Sequence, residues 1–180
     1  MDIRCLSQKE LRDTIGYVPQ KAFLFSGTIE DNLRMGYKEA TKEDMERALS
    51  ISQSKSFVDK LPIGLKSEVS QGGSNFSGGQ KQRLSIARAL IRKVPIYIFD
   101  DSFSALDLKT DSALRKSLKE NMRDAAKIII AQRVSTIMDA DQILVLDEGK
   151  LVGIGKHIDL MKNCSVYQAI AKSQMSIEEV

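Results

Sequence analysis

The sequence predicts an α/β fold in which a parallel sheet core carries an inserted helical segment. Two apolar runs, residues 96–99 and 127–131, are short and almost continuously apolar, as strands covered on both faces are. Between them Leu114, Leu118 and Met122 recur at every fourth position, which is typical of a helix with one buried face. A strand, a helix and a second strand in this order favour parallel pairing through a crossover connection.

Further apolar runs predict one more strand on each side of this unit. Residues 15–19 precede it and residues 142–146 follow it. The second run continues through a polar turn at residues 147–150 into an apolar stretch at 151–154, which is typical of a β-hairpin. The last stretch, residues 158–172, is amphipathic and predicts a packed surface helix.

Segment 28–92 differs in character from the strands around it and predicts a helical insertion. Thr41 is followed three residues later by Asp44, a pattern that resembles a capping box and opens a helix ending near Ser54. Pro62 and Gly64 then break the chain. We therefore expect one domain, 1–180, with four parts: residues 1–27, 28–92, 93–157 and 158–180.

Composition restricts the functional classes. The formal net charge of +3 is spread over interspersed acidic and basic residues, which argues against nucleic-acid binding. His157 is the only histidine, and Cys5 and Cys164 lack metal-ligand spacing, so a reduced compartment without a histidine metal cluster is the simplest account. No apolar run approaches the roughly 18 residues of a membrane-spanning helix, and Met1 opens no apolar signal peptide, so we expect any membrane attachment to come from elsewhere.

Residues 75–84 contain the strongest candidate binding motif. Ser77, Gly78 and Gly79 open a predicted helix that runs to about Arg92. Glycines leave backbone N–H groups accessible at the helix start, where the helix dipole favours an anion, and the serine hydroxyl adds a donor. A phosphate could bind there. On spacing alone, a helix start that is merely capped by Ser77 is an equal alternative.

Two carboxylates, Asp100 and Asp101, follow the predicted strand 96–99 directly. The carboxyl ends of parallel strands are where ligands bind in such sheets. One carboxylate could hold Mg²⁺ through water, and the other could orient a water molecule for attack on a γ-phosphate. The alternative, and the commoner outcome for two acids taken alone, is that they only cap the following helix.

Five motifs, taken in order, resemble those of the ABC ATPases, and the resemblance extends from Ile3 to about Lys172. The matching segments are residues 16–20 with 23–29 (Q-loop region, similar to that of exporters), 77–80 (signature motif), 96–101 (Walker B strand), 104–107 (D-loop) and 128–137 (switch region). The resemblance implies a P-loop NTPase-like parallel sheet core with an inserted ABC-specific helical subdomain.

The same resemblance implies a Mg²⁺-dependent ATPase that works as a head-to-tail pair, with two ATP molecules sandwiched between two domains. The signature motif of each domain faces the Walker A loop and the Walker B acids of the other. The implied role of Ser77, Gly78, Gly79 and Gln80 is contact with the γ-phosphate of partner-held ATP. The D-loop consists of Ser104, Ala105, Leu106 and Asp107, of which Asp107 is implied to lie at the dimer seam. Mg²⁺ binding is implied for Asp100 and Gln20, and catalysis for Asp101 and Gln132. Gln20 is also implied to report to a transmembrane part.

Three departures from the family pattern affect these roles. No phosphate-binding Gly-x-x-x-x-Gly-Lys-Ser/Thr loop occurs, so we expect the sequence to start after the family's Walker A loop and the sheet core to be incomplete at its N-terminal side, with an exposed edge. Asp101 stands where the family usually has Glu, and Gln132 where it usually has His. Gln71, where exporters often have Glu, is a lesser departure.

Asp101 and Gln132 both belong to the chain's own Walker side, whereas the signature motif is intact. This combination resembles the degenerate-site subunit of a heterodimeric exporter of the multidrug or lipid type. A homodimer that tolerates both changes is the alternative.

The leading hypothesis is therefore the ATPase motor portion of an ABC exporter. The expected partners are a second ABC ATPase domain, from a different subunit, and a transmembrane domain outside this chain that holds it at the cytoplasmic face of the cell membrane. We expect the isolated chain to be inactive. One alternative is a non-catalytic remnant of a truncated or mis-started transporter gene. Another is a soluble ABC ATPase of DNA repair or translation, against which the run 23–29 and the weak basic character argue.

Overall fold

The computed structural model describes the backbone of residues 2–178 and the side chains of residues 2–174. The last two residues of the predicted tail thus lie outside the described part. The chain forms two compact units, Met1–Ile130 and Ala131–Val180. None of the helices within residues 2–178 combines the length and the apolarity needed to cross a membrane.

The first unit is built on a parallel sheet. Its strands, among residues 2–130, are β1 (Ile15–Val18), β2 (Gly27–Thr28), β3 (Glu68–Val69), β4 (Ile96–Asp100) and β5 (Ala126–Ile130). β1, β4 and β5 pair in parallel in that spatial order, and β2 pairs with β3 in a separate antiparallel ladder. The predicted α/β fold with a parallel sheet is confirmed. β1 and β5 are the two edge strands of this sheet, and Ile128 and Ile130 of β5 are 52% and 50% exposed. The incomplete N-terminal side of the sheet core stays a prediction.

Side-chain caps start most helices of this unit. The helices are α1 (Gln8–Asp13), α2 (Ile29–Arg34), α3 (Lys42–Ile51), α4 (Lys55–Val58), α5 (Gly78–Leu90) and α6 (Leu108–Asn121). The capping box predicted for α3 is present, since Thr41 Oγ1 accepts from the Asp44 N–H at 3.1 Å and Asp44 Oδ2 accepts from the Thr41 N–H at 3.1 Å. α3 ends at Ile51 and α5 at Leu90, slightly earlier than the sequence predicts.

One hydrophobic core joins the sheet to the inserted helices. The crossover helix α6 buries Leu114 and Leu118 completely or nearly so, as its spacing predicts. Phe99 of the central strand and Leu84 of α5 belong to the same cluster. Because the insertion and the sheet share this core, the boundaries at 27/28 and 92/93 stay predictions drawn from sequence composition.

The second unit contains the predicted hairpin and three helices. Its described elements are α7 (Val134–Ile137), β6 (Ile143–Asp147), β7 (Lys150–Gly155), α8 (His157–Asn163) and α9 (Ser165–Glu178). β6 and β7 pair antiparallel across a turn in which Glu148 and Gly149 both have positive φ (46° and 75°). Positive φ at both central residues matches the right-handed twist of the flanking strands.

The predicted single helix at 158–172 is in fact two helices that meet at Cys164, whose backbone is extended (φ −122°, ψ 102°). A Cβ on Gly153 would lie 2.8 Å from Cys164 Sγ, so the hairpin packs directly on this break. The break allows Leu160 of α8 and Tyr167 of α9 to enter one small core with Ile143. Amphipathic spacing alone could not reveal it, because both helices keep an apolar face.

Candidate functional site

The carboxyl ends of β1 and β4 bring Gln20 to the two predicted acids. The two strands are parallel neighbours with Val18 opposite Phe99, so the residues that follow them meet at one edge of the sheet. Gln20 Nε2 donates to Asp101 Oδ2 at 3.1 Å. Three of the residues that the sequence assigns to the chain's own nucleotide site thus lie together.

Tyr17, which the sequence analysis did not single out, completes this cluster. Its hydroxyl donates to Asp100 Oδ2 at 2.9 Å, and the nearby carboxylate raises the pKa of the Tyr17 phenol, since hydrogen bonding and negative charge both favour its protonated form. The sequence feature that could have identified Tyr17 is an aromatic residue with a polar hydroxyl within an apolar strand.

Asp101 occupies a constrained turn. The residue as a whole is 8% exposed. Its φ of +43° lies in the left-handed region that few residues other than Gly, Asn and Asp adopt. The Asp101 N–H donates to the carbonyl of Ile130 at 2.9 Å, and the Ser104 hydroxyl donates to the Asp101 carbonyl at 2.8 Å. The turn after β4 is therefore held both by β5 and by the following loop.

The residues at this edge fit a hydrated magnesium ion. Asp100 is half-buried, and Tyr17 occupies only one of its two oxygens. Gln20 uses its amide nitrogen towards Asp101, which leaves its amide oxygen as an acceptor. Carboxylate and amide oxygens suit Mg²⁺, which keeps several water ligands of its own. Among the side chains of residues 2–174, no group of three or more His, Cys, Asp and Glu could enclose a metal ion by itself.

The signature turn, defined here as residues 77–80, lies exposed at the start of α5. Ser77 is the N-cap, with its Oγ accepting from the Gln80 N–H at 3.3 Å and its N–H donating to Gln80 Oε1 at 3.0 Å. The amides of Gly78 and Gly79, in the first turn, have no partner along the helix. Because the Ser77 oxygen acts as an acceptor in the box, its hydroxyl proton is still available to a ligand. Both sequence interpretations, cap and phosphate site, are compatible with this geometry.

Packing inside the chain does not require glycine at position 78. A Cβ on Gly78 would meet nothing within 4 Å, whereas a Cβ on Gly36 would lie 2.1 Å from the Arg88 carbonyl oxygen. Gly36→Ala should therefore lower the free energy of unfolding by about 1–3 kcal/mol, whereas Gly78→Ala should leave it unchanged or raise it by up to about 1 kcal/mol. Urea unfolding followed by circular dichroism measures both, and equal losses would contradict this account of Gly78.

The D-loop, residues 104–107, packs beside the signature turn. A Cβ on Gly79 would lie 3.6 Å from the Ala105 carbonyl oxygen and 3.9 Å from Leu106 Cδ2. Ser104 and Ala105 are exposed, and Leu106 is buried. Asp107, the residue predicted at the dimer seam, is exposed as well.

Asp107, rather than Asp100 or Asp101, caps the helix that follows β4. Its Oδ1 accepts from the Thr110 N–H at 2.9 Å. Hydrogen bonds from the Thr110 hydroxyl and N–H lower the pKa of this carboxyl. The alternative that the two strand-end acids are only helix caps is therefore wrong, because the loop 102–106 separates them from α6.

Gln132 is exposed and lies in the second unit, just before α7. The side chain of Gln174 in α9 makes two hydrogen bonds to the backbone here. Its Nε2 donates to the Gln132 carbonyl at 2.6 Å, and its Oε1 accepts from the Val134 N–H at 2.7 Å. The backbone of the predicted switch region is thus anchored by a helix that the sequence analysis treated only as a surface helix.

Gln82 connects the signature helix to the Q-loop and was also missed. It is 2% exposed, and its Nε2 donates to the Pro19 carbonyl, just before Gln20, at 3.4 Å. A glutamine on the buried face of α5, in line with Ser85 and Ile86, is a signal that could have found it.

Comparison with known proteins identifies the family. The family model described as ABC transporter matches residues 2–104. An uncharacterized ABC transporter ATP-binding protein of Mycobacterium tuberculosis is 46% identical over 177 residues, which are 97% of this chain and 30% of the relative. A Rickettsia conorii protein named as an export ATP-binding/permease protein is 42% identical over 176 residues, 98% of this chain and 31% of that protein.

The fold of the chain is also similar to that of a solved structure. A bacterial Atm1-family ABC exporter with ATP bound superimposes with a TM-score of 0.93 at 37% identity, covering 97% of this chain and 31% of the exporter chain. This chain spans about 30% of the length of the relatives it matches. It belongs to the ABC transporter family and corresponds to the ATP-binding domain of an exporter-type member.

Proposed function

We propose that this chain is the motor portion of an ABC exporter and that its signature turn completes an ATP site held by a second ATPase domain. The observation that carries the proposal is the turn at Ser77, where Ser77 and Gly78 are exposed at the start of α5 and Gly79 lies beside the D-loop. No described residue other than its neighbours in the chain lies within 4 Å of a Cβ on Gly78, so packing does not explain this glycine, whereas the close approach of a phosphate would.

In this mechanism the signature turn acts only after two domains close on each other. The amides of Gly78 and Gly79 and the hydroxyl of Ser77 donate to γ-phosphate oxygens, and the positive end of the α5 dipole adds to their effect. The capping box with Gln80 orders the donors before the nucleotide arrives. Closure on ATP and reopening after hydrolysis would drive export.

The chain's own nucleotide site, in the proposal, is degenerate. Bound Mg²⁺ neutralises charge on the phosphate oxygens, and Asp100 and Gln20 are the residues that would hold it. Asp101 orients the attacking water, but aspartate is one methylene shorter than the family's glutamate. Gln132 can hydrogen-bond but cannot carry a proton as an imidazole does. We infer a heterodimer in which the partner supplies the faster site.

The proposed second partner is a transmembrane domain, which would hold the chain at the cytoplasmic face of the membrane. An aromatic and apolar surface beside the Q-loop supports it, because Phe23, Phe25 and Met35 are all about half exposed. Next to them is a groove of about 480 Å³, lined by Phe25, Met35 and Arg88 among others. Exposed apolar patches of this kind mark protein interaction sites.

The purified 180-residue chain is expected to hydrolyse no ATP above background. Its sequence has no Walker A loop, and so lacks the lysine and the backbone donors that grip a triphosphate. Phosphate release from ATP and Mg²⁺, over a range of protein concentrations, measures this. Turnover that rises with protein concentration and disappears in Ser77→Arg would contradict it.

A non-catalytic remnant of a transporter gene is the alternative to this proposal. The DNA upstream of Met1 separates the two. An open reading frame that encodes a Walker A loop and transmembrane helices supports the motor, whereas a stop codon or a frameshift supports the remnant.

A further inference from the structure

Arg83 lies one turn into α5 and makes three contacts with different parts of the fold. Its Nε donates to the carbonyl of Gly79, in the signature turn, at 3.3 Å. Its Nη1 donates to the carbonyl of Gln53, beyond the end of α3, at 2.7 Å. The guanidinium also lies over the ring of Phe57 in α4, 4.9 Å from the centroid. One planar side chain thus bridges three segments, as guanidinium geometry allows.

The two partners in the helical segment are themselves fixed. Gln53 has a positive φ of 60°, so its carbonyl direction is set by an uncommon backbone conformation. The ring of Phe57 lies 6.3 Å from that of Phe76, which is buried and directly precedes Ser77. The signature turn is therefore held from both sides, through Gly79 and through Phe76.

The carboxylate of Asp107, in the D-loop, also acts on this arginine. Burial lowers the pKa of the Arg83 guanidinium, and the nearby carboxylate of Asp107 acts in the opposite direction. Gly79, whose carbonyl accepts from Arg83, also lies beside the D-loop, since a Cβ on it would be 3.6 Å from the Ala105 carbonyl oxygen. A partly buried cation bonded to the signature turn is costly to place, which argues for a role beyond general stability.

We propose that Arg83 is a positioning residue that holds the signature turn at a set distance from the D-loop, so that both meet the partner domain as one surface. This role rests on the proposed function of residues 77–80. Arg47 offers a matched control, since its Nη2 donates to the carbonyls of Leu90 and Ile91 at the opposite end of the same helix.

Amide hydrogen exchange in the 180-residue chain tests the structural half of the proposal. Arg83→Met should accelerate exchange of the amides of residues 80–83 by about tenfold or more relative to those of residues 87–90. Arg47→Met should reverse this pattern. Arg83→Lys should resemble Arg83→Met, because an ammonium cannot stack and bridge two carbonyls in the same way. Equal acceleration along all of α5 in both methionine variants, or full rescue by lysine, would overturn the proposal.

Steady-state kinetics of a transporter assembled with this chain test the functional half. Arg83→Met should lower kcat at the site completed by α5 by about tenfold or more while KM changes less than about threefold, because the partner's own Walker A loop binds the nucleotide. Arg47→Met should change neither. A rise in KM with unchanged kcat would overturn the positioning role. If Ser77→Arg has no effect on turnover, the proposed function fails instead, whatever the exchange pattern at Arg83.

Discussion

Ser77→Arg is expected to lower ATP hydrolysis at the site completed by this chain by about 10²–10³-fold, the usual cost of losing a preorganised donor to a developing charge. The substitution removes the hydroxyl and places a long side chain on the face that Gly78 leaves open. The phosphate could then no longer approach the amides of the first turn. Turnover of an assembled transporter, with Mg²⁺ and ATP at saturation, measures the loss.

Ser77 is also a helix cap, so the experiment needs a variant that loses a cap and nothing else. Ser7 caps α1 through the same capping box, with Glu10 in the role of Gln80. Removing either cap should cost about 1 kcal/mol of stability. Ser7→Arg should leave turnover unchanged. An equal fall in turnover for the two variants would mean that cap loss, and not phosphate contact, explains the effect.

The double substitution Asp101→Glu with Gln132→His is expected to raise hydrolysis at the chain's own site by about 10²-fold, because a carboxylate misplaced by about 1 Å costs a rate factor of that size. The longer side chain would extend past its present hydrogen bond with Gln20 Nε2. The added imidazole would supply a group that can carry a proton. Each single change should give only part of the gain.

The measurement is the rate of ATP hydrolysis at the chain's own site alone. The transporter must contain a Walker A loop for this site, and the catalytic acid of the partner's site must be replaced so that only this site turns over. Thermal unfolding should be recorded in parallel, since the left-handed backbone at Asp101 suits Asp better than Glu. A folded double variant with wild-type turnover would favour the homodimer in which Asp101 and Gln132 already function.

The sequence by itself determined the features that depend on neighbours three or four residues away. The capping box of Thr41 and Asp44, the hairpin turn at Gly149 and the buried face with Leu114 are all local patterns, and all are present. The start of the signature helix at Ser77 belongs with them. Such features are legible because one hydrogen bond or one helical repeat specifies each of them.

Only the tertiary structure decided which distant residues meet. Gln20 and Asp101 are 81 positions apart, and their hydrogen bond exists because the parallel register of β1 and β4 sets both at one sheet edge. Likewise, only packing brings Arg83 to Phe57 or divides the last helix at Cys164. Contacts of this range depend on strand order and on which faces are buried, and no local spacing in the chain encodes either one.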